Sequence, residues 1–205
     1  MTCHKPKLDQ IKGFLDDDEA ARIYDIALKA AEMGRPCLEI GSYCGKSAVC
    51  IGLACNEKGG TLFSIDHHRG SEEQQPGEEY FDPELFDVAS FSVDTLAHFR
   101  ETVRMFDLEE TVVPIVAKSR VVGRMWATQL SMVFIDGGHS YEAALADYVT
   151  WAGHIMPGGY LLIHDIFMDP SQGGQAPWEI YQMALASGLF NELPMTKTLG
   201  VLLRK

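Results

Sequence analysis

The sequence has few basic residues, no long apolar run and no paired-cysteine motif, and each absence excludes a class of protein. Its 205 residues include 17 Lys and Arg against 29 Asp and Glu, a formal net charge of −12. Nucleic acids and anionic membranes bind basic surfaces, so neither partner is expected. No stretch has the length of a membrane-spanning helix, and residues 1–7 contain no apolar leader core. We therefore expect a globular, cytoplasmic protein.

Cysteine is also scarce. Five cysteines occur, at positions 3, 37, 44, 50 and 55. An odd number without a Cys-x-x-Cys spacing supports neither a disulfide framework nor a zinc site. Cys50 and Cys55 lie in a helical pattern and are expected to be buried, whereas Cys44 lies within a glycine-rich turn and is expected near a ligand.

The chain is organised around a strand–turn–helix pattern at residues 37–50. An apolar run that contains Glu39 comes first. Gly41 and Gly45 then frame a turn, and a helical pattern follows. Such a unit holds a nucleotide-like ligand at the carboxyl end of a parallel strand. Gly41 would let the backbone approach the ligand, Gly45 would let the helix begin close to the strand, and Ser47 would cap the first helical turn.

The glycine spacing narrows the ligand class. Gly41 and Gly45 form Gly-x-x-x-Gly, not the G-x-G-x-x-G of dinucleotide enzymes, and Gly41 misses the P-loop spacing by one residue. The stretch Leu38–Val49 resembles the glycine loop of class I S-adenosylmethionine-dependent methyltransferases, especially the catechol O-methyltransferase group with its Gly-x-Tyr-x-Gly core. This resemblance implies that S-adenosylmethionine contacts Glu39, Gly41, Ser42, Tyr43, Gly45 and Ser47.

The rest of the chain alternates strand and helix patterns. The patterns predict strands at 36–41, 61–66, 112–116, 131–136 and 160–164, and helices at 16–33, 45–56, 88–105, 140–153 and 177–188. Two short final strands, at 190–195 and 199–204, predict an antiparallel pair. The fold class is therefore α/β, a doubly wound, mostly parallel seven-stranded sheet with helices on both faces. We expect one domain over 1–205, with a helical N-terminal segment at 1–35.

A loop at 67–87 interrupts this alternation. It is too long for a simple strand-to-helix connection and is rich in histidine, acidic and aromatic residues. Long loops at the carboxyl ends of strands commonly cover a site, so we expect this loop to line the acceptor site. A surface insert without a role is the alternative, and His67 and His68 are further candidates for substrate or metal contacts.

Polar residues end or follow several predicted strands. Asp66 stands at the end of the second strand, where a carboxylate can bind both ribose hydroxyls of a nucleoside, as it also does in NAD enzymes. Ser119 follows the third strand and resembles the methyltransferase residue that contacts the adenine edge. We place Asp66, His67 and Ser119 in the predicted cofactor site.

The second specific motif is Phe134–Glu142, in which an apolar strand leads to Asp136, two glycines and His139. It is similar to the fourth motif of the catechol, caffeoyl-coenzyme A and macrolide-sugar O-methyltransferases. The resemblance implies that Asp136 lies near the methionine amine and ligates a divalent metal, and that His139 is the general base. A hydroxyl must lose its proton as it attacks the sulfonium methyl group, and imidazole suits that role. A helix-capping or packing role for His139 is the alternative.

His164 and Asp165 end the fifth strand. The catechol enzymes have Asp-Asn here, both metal ligands; Asp165 matches the Asp, but Ile166 cannot bind a metal. His164 could supply the missing ligand, giving Asp136, His164 and Asp165 as a site for Mg, Mn or Zn. A site without metal stays open.

The predicted function is S-adenosylmethionine-dependent O-methylation of a small polar acceptor, phenolic or sugar-like. Two alternatives belong to other classes, an NAD-dependent oxidoreductase and a non-catalytic nucleotide-binding protein. The glycine spacing and the terminal strand pair disfavour the first, and the presence of His139 disfavours the second. A homo-oligomer is compatible with the sequence.

Overall fold

The computed structural model describes residues 8–205. Cys3 and the N-terminal stretch for which we expected no leader segment lie outside these residues. Six α-helices occur in the described part of the chain: α1 (Asp17–Ala31), α2 (Lys46–Lys58), α3 (Leu96–Met105), α4 (Ser119–Gly123), α5 (Tyr141–Trp151) and α6 (Ala176–Ala186). Among the described residues, none of these helices has the length and apolar character to cross a bilayer.

The strands form one large sheet and one small hairpin. The bounds are β1 (Cys37–Ile40), β2 (Leu62–Asp66), β3 (Phe86–Asp87), β4 (Ser92–Val93), β5 (Val112–Val116), β6 (Leu130–Ile135), β7 (Ile155–Ile163), β8 (Phe190–Thr196) and β9 (Leu199–Arg204). The large sheet has seven strands in the order β5-β2-β1-β6-β7-β9-β8. The first five are parallel, and β9 is antiparallel to both β7 and β8. This confirms the predicted sheet and its terminal antiparallel pair.

The sheet order places a crevice at the carboxyl ends of β1 and β6. Strand β1 pairs with β2 on one side and with β6 on the other. The chain therefore adds β2 and β5 on one side of β1 and then crosses to the other side of β1 to add β6 and β7. Ligands of open α/β sheets bind at such a switch point. The motifs of β1, β2 and β6 therefore meet at one edge of the sheet.

Helices cover both faces of the sheet, as predicted. Along β6, Met132 and Phe134 belong to the apolar cluster that includes residues of α1, α2 and α3, while Val133 belongs to the opposite cluster with residues of α5 and α6. This alternation is the two-residue period of a strand buried on both sides. The second cluster contains Trp151 and Tyr181, both fully buried.

Helix α1 begins at a capping box. The Asp16 carboxylate accepts a hydrogen bond from the backbone N–H of Asp18 at 2.9 Å, and the Glu19 carboxylate accepts one from the backbone N–H of Asp16 at 3.4 Å. These bonds satisfy backbone donors that have no partner within the helix. The expected start of the first helix at the acidic run is therefore correct.

The predicted helix over 88–105 is wrong in its first part, because α3 begins only at Leu96. Residues 86–93 form the β3–β4 hairpin instead. The Asp87 carboxylate accepts hydrogen bonds from the backbone N–H groups of Ala89 and Ser90, which competes with helix formation. Phe91, which lies within the predicted helix, has a φ of 51° and is 82% exposed. The segment between β2 and α3 therefore runs over 67–95 and is here called the cleft loop.

The fifth parallel strand begins earlier than predicted. Residues 157–159, which precede the predicted strand at 160–164, lie within β7, where the pairing with β6 shifts register between Leu130 and Met132. A Cβ on Gly159 would lie 2.8 Å from the carbonyl oxygen of Ser131. The glycine therefore serves close approach of two strands, a role that sequence alone does not separate from a turn.

Candidate active-site cleft

A cleft of about 1080 Å³ opens at the carboxyl ends of β1, β2 and β6. Most of the residues singled out in the sequence line it: Gly41, Ser42, Tyr43, Ser47, Asp66, His67, Ser119, Asp136, His139, His164 and Asp165. Glu39, Gly45 and Cys44 lie outside its lining. The sheet thus assembles the predicted motifs in one place.

The two glycines of the turn have different tasks. Gly41 has a φ of 85°, and a Cβ there would collide with the backbone carbonyl of Asp136. Gly41 therefore lets β1 and β6 approach each other where their motifs meet. Gly45 begins α2 with a φ of 96°, and a Cβ there would lie 3.2 Å from Thr102 and 3.3 Å from Phe99 of α3. Its task is helix packing, so its expected ligand contact is not supported.

Glu39 lies beneath the cleft and does not line it. It is fully buried, and its carboxyl group accepts hydrogen bonds from the hydroxyls of Ser47 at 2.9 Å and Ser64 at 2.6 Å. Burial raises the pKa of Glu39 to about 8. The expected direct contact of Glu39 with the cofactor is thus corrected to support of the turn. Ser47 bonds Glu39 and does not cap α2, whose first residue follows Gly45 without a side-chain cap.

Asp66 fastens the glycine turn. Its Oδ2 accepts hydrogen bonds from the backbone N–H groups of Ser42 and Tyr43, both at 2.9 Å. Its Oδ1 accepts one from the backbone N–H of His68 at 2.7 Å. A carboxylate has about four acceptor positions, so roughly one stays available, on Oδ1. Asp66 was predicted to bind both ribose hydroxyls through two free oxygens. While the turn keeps this form, Asp66 can accept only about one further hydrogen bond, on Oδ1.

Ser119 is paired with an acidic residue that our sequence analysis missed. Its hydroxyl donates a hydrogen bond to Asp147 of α5, which is 7% exposed and lines the same cleft. Burial raises the pKa of Asp147 to about 6. A signal was present, because Ala144, Asp147, Tyr148 and Trp151 form the buried helical stripe of α5. A carboxylate within an apolar stripe indicates a specific partner.

His139 lies between two carboxylates. Its Nδ1 is 2.9 Å from Oε2 of Glu73 in the cleft loop, and its Nε2 is 3.1 Å from Oδ2 of Asp165. The hydrogen bond to Asp165 is the main cause that raises the pKa of His139 to about 9, against the opposing effect of burial. Glu73 was not predicted as a site residue, because nothing local in the loop distinguishes it from its acidic neighbours.

His164 is not available as a metal ligand, which corrects our prediction. Its Nε2 lies 3.1 Å from Oε2 of Glu19 and its Nδ1 lies 3.0 Å from Oδ1 of Asp136, so both ring nitrogens are engaged. Its side chain is only 4% exposed. Burial alone would lower the pKa of His164, but the charge of Asp136 and hydrogen bonds to carboxylates raise it well above the usual value.

The groups able to hold an ion are Asp136, His139 and Asp165. One ligand atom from each lies within 4.8 Å of the others. Asp136 and Asp165 thus come together as predicted, and His139 takes the position that we expected for His164. Two carboxylates and an imidazole suit a divalent cation. The same three groups also suit proton transfer without one.

Comparison with known families decides the class of protein. Residues 38–166, more than half of the chain, match the model of a family described as a methyltransferase domain. The chain belongs to the methyltransferase domain family. This confirms the class I S-adenosylmethionine-dependent methyltransferase that the glycine turn resembles, and with it the predicted enzyme class.

Solved structures share the fold of this methyltransferase. The O-methyltransferase NovP is 15% identical over 92% of this chain and 80% of that chain, with a TM-score of 0.69. A Bacillus cereus O-methyltransferase bound to S-adenosylhomocysteine is 12% identical, with coverages of 94% and 83% and a TM-score of 0.63. TomG of Streptomyces achromogenes, bound to S-adenosylmethionine, is 14% identical, with coverages of 93% and 80% and a TM-score of 0.60. At these identities the likeness shows the fold.

The N-terminal segment and the cleft loop together form one wall of the methyltransferase cleft. Lys12 binds Asp82 at 2.5 Å and Glu84 at 2.6 Å. The ring of Phe14 packs against those of Tyr80 and Tyr43, with centroid distances of 5.2 and 5.9 Å. Phe14, Tyr43 and Tyr80 all line the cleft. The N-terminal segment therefore holds the loop in place through Lys12 and Phe14.

Two residues near this wall do not reach the cleft. His68 is 2% exposed, and its Nδ1 lies 2.7 Å from the hydroxyl of Thr95, so it is not a ligand contact. Cys44 is 1% exposed and packs with Leu85 and Val93, which corrects its expected place near a ligand. His67 does line the cleft, and its Nδ1 accepts a hydrogen bond from the backbone of Arg69 at 3.1 Å.

Proposed function

We propose that this methyltransferase transfers the methyl group of S-adenosylmethionine to a hydroxyl of a small polar acceptor, phenolic or sugar-like, with His139 as the general base. The observation that carries the proposal is the contact of His139 with Asp165 and Glu73 in the cleft that also contains the glycine turn. A small acceptor, and not a nucleic acid, agrees with the net charge of −12.

The chemistry of the cleft residues fits the cofactor. Asp66 offers an acceptor for a ribose hydroxyl, and Ser119 with Asp147 offers polar groups for the adenine edge. Asp136 offers a carboxylate for the methionine amine. The structural neighbours bound to S-adenosylmethionine and S-adenosylhomocysteine support this assignment.

When bound, S-adenosylmethionine supplies an electrophilic methyl group on a sulfonium centre. The protein's own contribution is to orient the acceptor and to take up its proton. Neutral His139 would accept the proton at Nε2, after which Asp165 stabilises the imidazolium through the 3.1 Å contact. Glu73 fixes the other nitrogen at 2.9 Å and so holds the orientation of the ring.

A divalent ion is the second candidate for the same cluster. Asp136, His139 and Asp165 would hold it, since their ligand atoms lie within 4.8 Å of one another. Such an ion would lower the pKa of the acceptor hydroxyl by binding its oxygen. If the ion takes Nε2 of His139, that nitrogen is no longer a base, so the two candidates assign different roles to one atom.

A labelling experiment tests the proposal and separates the candidates. The enzyme is incubated with S-adenosylmethionine carrying a ¹³C-methyl group and a panel of phenols and sugars, with amines and thiols as matched acceptors. We expect label on oxygen, a loss of about a hundredfold or more in kcat for His139→Ala, and little change for the exposed His98→Ala. Label on nitrogen alone would contradict the proposal.

Chelation is the second arm of that experiment. Activity that persists in chelator assigns His139 as the base. Activity that chelator abolishes and Mg or Mn restores assigns the cluster to an ion. A cofactor screen by thermal shift, S-adenosylhomocysteine against NAD, addresses the oxidoreductase alternative, because a ligand raises stability according to its concentration over its Kd.

A further inference from the structure

Glu19 of α1 is buried although it belongs neither to the glycine turn nor to the motif at Asp136–His139. It is 3% exposed. Its Oε1 accepts hydrogen bonds from the backbone N–H and the hydroxyl of Thr198, at 2.8 and 2.7 Å, in the turn between β8 and β9. Its Oε2 lies 3.1 Å from Nε2 of His164. Buried carboxylates are rare unless specific partners hold them, so this position calls for an explanation.

The contacts form a continuous chain into the cleft. His164 contacts Glu19 through Nε2 and Oδ1 of Asp136 through Nδ1, at 3.1 and 3.0 Å. Ionised carboxylates only accept hydrogen bonds, so the ring donates from both nitrogens. His164 is 4% exposed, whereas the Asp136 side chain is 24% exposed and lines the cleft. The chain therefore runs from a buried anchor to a group that a ligand can touch.

We propose that Glu19 is a positioning residue that acts through His164 to hold the Asp136 carboxylate in its cofactor-binding orientation. Both oxygens of Glu19 are engaged, one by Thr198 and one by His164, so Glu19 is a rigid anchor. The inference rests on the proposed function, in which Asp136 binds the methionine amine. It makes α1 and the β8–β9 turn part of the support of the site, although neither element lines the cleft.

A purely structural role for Glu19 would be completion of the capping box of α1. That contact, to the backbone N–H of Asp16, is 3.4 Å long, the longest of the four hydrogen bonds of Glu19. Asp16→Ala removes the side-chain hydrogen bond to the backbone N–H of Asp18 and the ion pair with Lys197 of the β8–β9 turn, and it leaves the contact between Glu19 and His164. It is therefore the control for a general loosening of the start of α1 and of the β8–β9 turn.

The test compares two ligands by calorimetry. S-adenosylhomocysteine carries the amine that Asp136 would bind, whereas 5′-methylthioadenosine lacks it. Loss of a charge-assisted hydrogen bond is worth about tenfold in affinity or more, so Glu19→Ala should weaken S-adenosylhomocysteine by about that factor. Its affinity for methylthioadenosine should stay within about twofold, and Asp16→Ala should leave both affinities within about twofold.

A conservative variant provides rescue and a direct readout. In Glu19→Gln the amide oxygen must face the N–H of Thr198, so the amide nitrogen faces Nε2 of His164. Nε2 of His164 then accepts a hydrogen bond from the amide N–H, while Nδ1 of His164 still donates to Asp136. We expect the affinity ratio of the two ligands to recover to near the wild-type value, and the ¹⁵N spectrum to lose the proton on Nε2 of His164. This variant carries the test if Glu19→Ala does not fold.

The outcomes are distinct. A wild-type protein that binds neither ligand would overturn the proposed function itself. Wild-type binding with an equal loss for both ligands in Glu19→Ala would overturn the positioning role, as would the same selective loss in Asp16→Ala. An unchanged His164 signal in Glu19→Gln would also overturn it, because it would show that the two side chains are not in contact.

Discussion

Nε2 of His139 lies 3.1 Å from Oδ2 of Asp165, which joins the motif after β6 to the residue after β7. The contact exists because β6 and β7 are parallel neighbours, so their carboxyl ends lie side by side. It decides how the proposed base behaves. A base must be neutral to accept a proton, and this carboxylate favours the charged form.

The first prediction concerns the pH dependence of turnover. The pKa of His139 is raised to about 9, chiefly by the hydrogen bond to Asp165. The neutral form grows as the pH rises through that value, so kcat should rise with pH and level off above it. Asp165→Asn should move the midpoint toward lower pH. Rate profiles of both enzymes check this, and a wild-type profile that is flat from neutral pH upward would contradict it.

The second prediction concerns stability. The pKa of Glu39 is about 8 in the folded protein, above its usual value of 4.5, because it is fully buried. Between those values the unfolded chain loses a proton that the native state keeps, so the free energy of unfolding falls as pH rises. Glu39→Gln keeps the shape without the charge and should flatten that fall, by a few kcal/mol at most. Urea unfolding at several pH values measures it; an equally steep fall in the variant would count against it.

The third prediction tests the close approach at Gly41. A Cβ there would collide with the Asp136 carbonyl, whereas Gly59, with a φ of 66°, has nothing within 4 Å. Both substitutions to Ala carry the cost of a left-handed backbone, about 1 kcal/mol. Gly41→Ala should lose clearly more stability and should also lose cofactor binding, while Gly59→Ala should keep binding. Equal losses in the two variants would show that β1 and β6 do not meet as described.

The fourth prediction concerns the cleft loop. Lys12 holds Asp82 and Glu84, and Phe14 packs on Tyr80, so the loop wall depends on a few contacts. We expect its amides to gain protection from hydrogen exchange when cofactor and acceptor are both bound. Phe14→Ala should reduce that gain and raise the KM of the acceptor. Equal protection in all states would assign the loop no part in binding.

Local patterns predicted the parts of the molecule that depend on local chemistry. The turn at Gly41 follows from its spacing, and Asp66 follows from its place at the end of a strand. The seven-stranded sheet follows from the alternation of strand and helix patterns along the chain. The continuous apolar run of β6 follows from its burial on both faces of the sheet. These features need no knowledge of distant partners.

The errors occur where a distant or side-chain contact decides the structure. His164 looked like a free ligand because its partner Glu19 is far away in the sequence. Residues 88–95 looked helical because apolar spacing does not show that Asp87 bonds the backbone of Ala89 and Ser90. Glu73 was missed because its partner His139 comes from another part of the chain.

Calorimetric titration with S-adenosylhomocysteine tests the central claim most directly. We expect saturable binding at one site per chain, no comparable binding of NAD, and at least about tenfold weaker binding in Asp66→Ala, which loses charge-assisted hydrogen bonds and the fastening of the turn. Absence of heat with S-adenosylhomocysteine, or unchanged affinity in Asp66→Ala, would contradict the claim that this cleft holds the methyl donor.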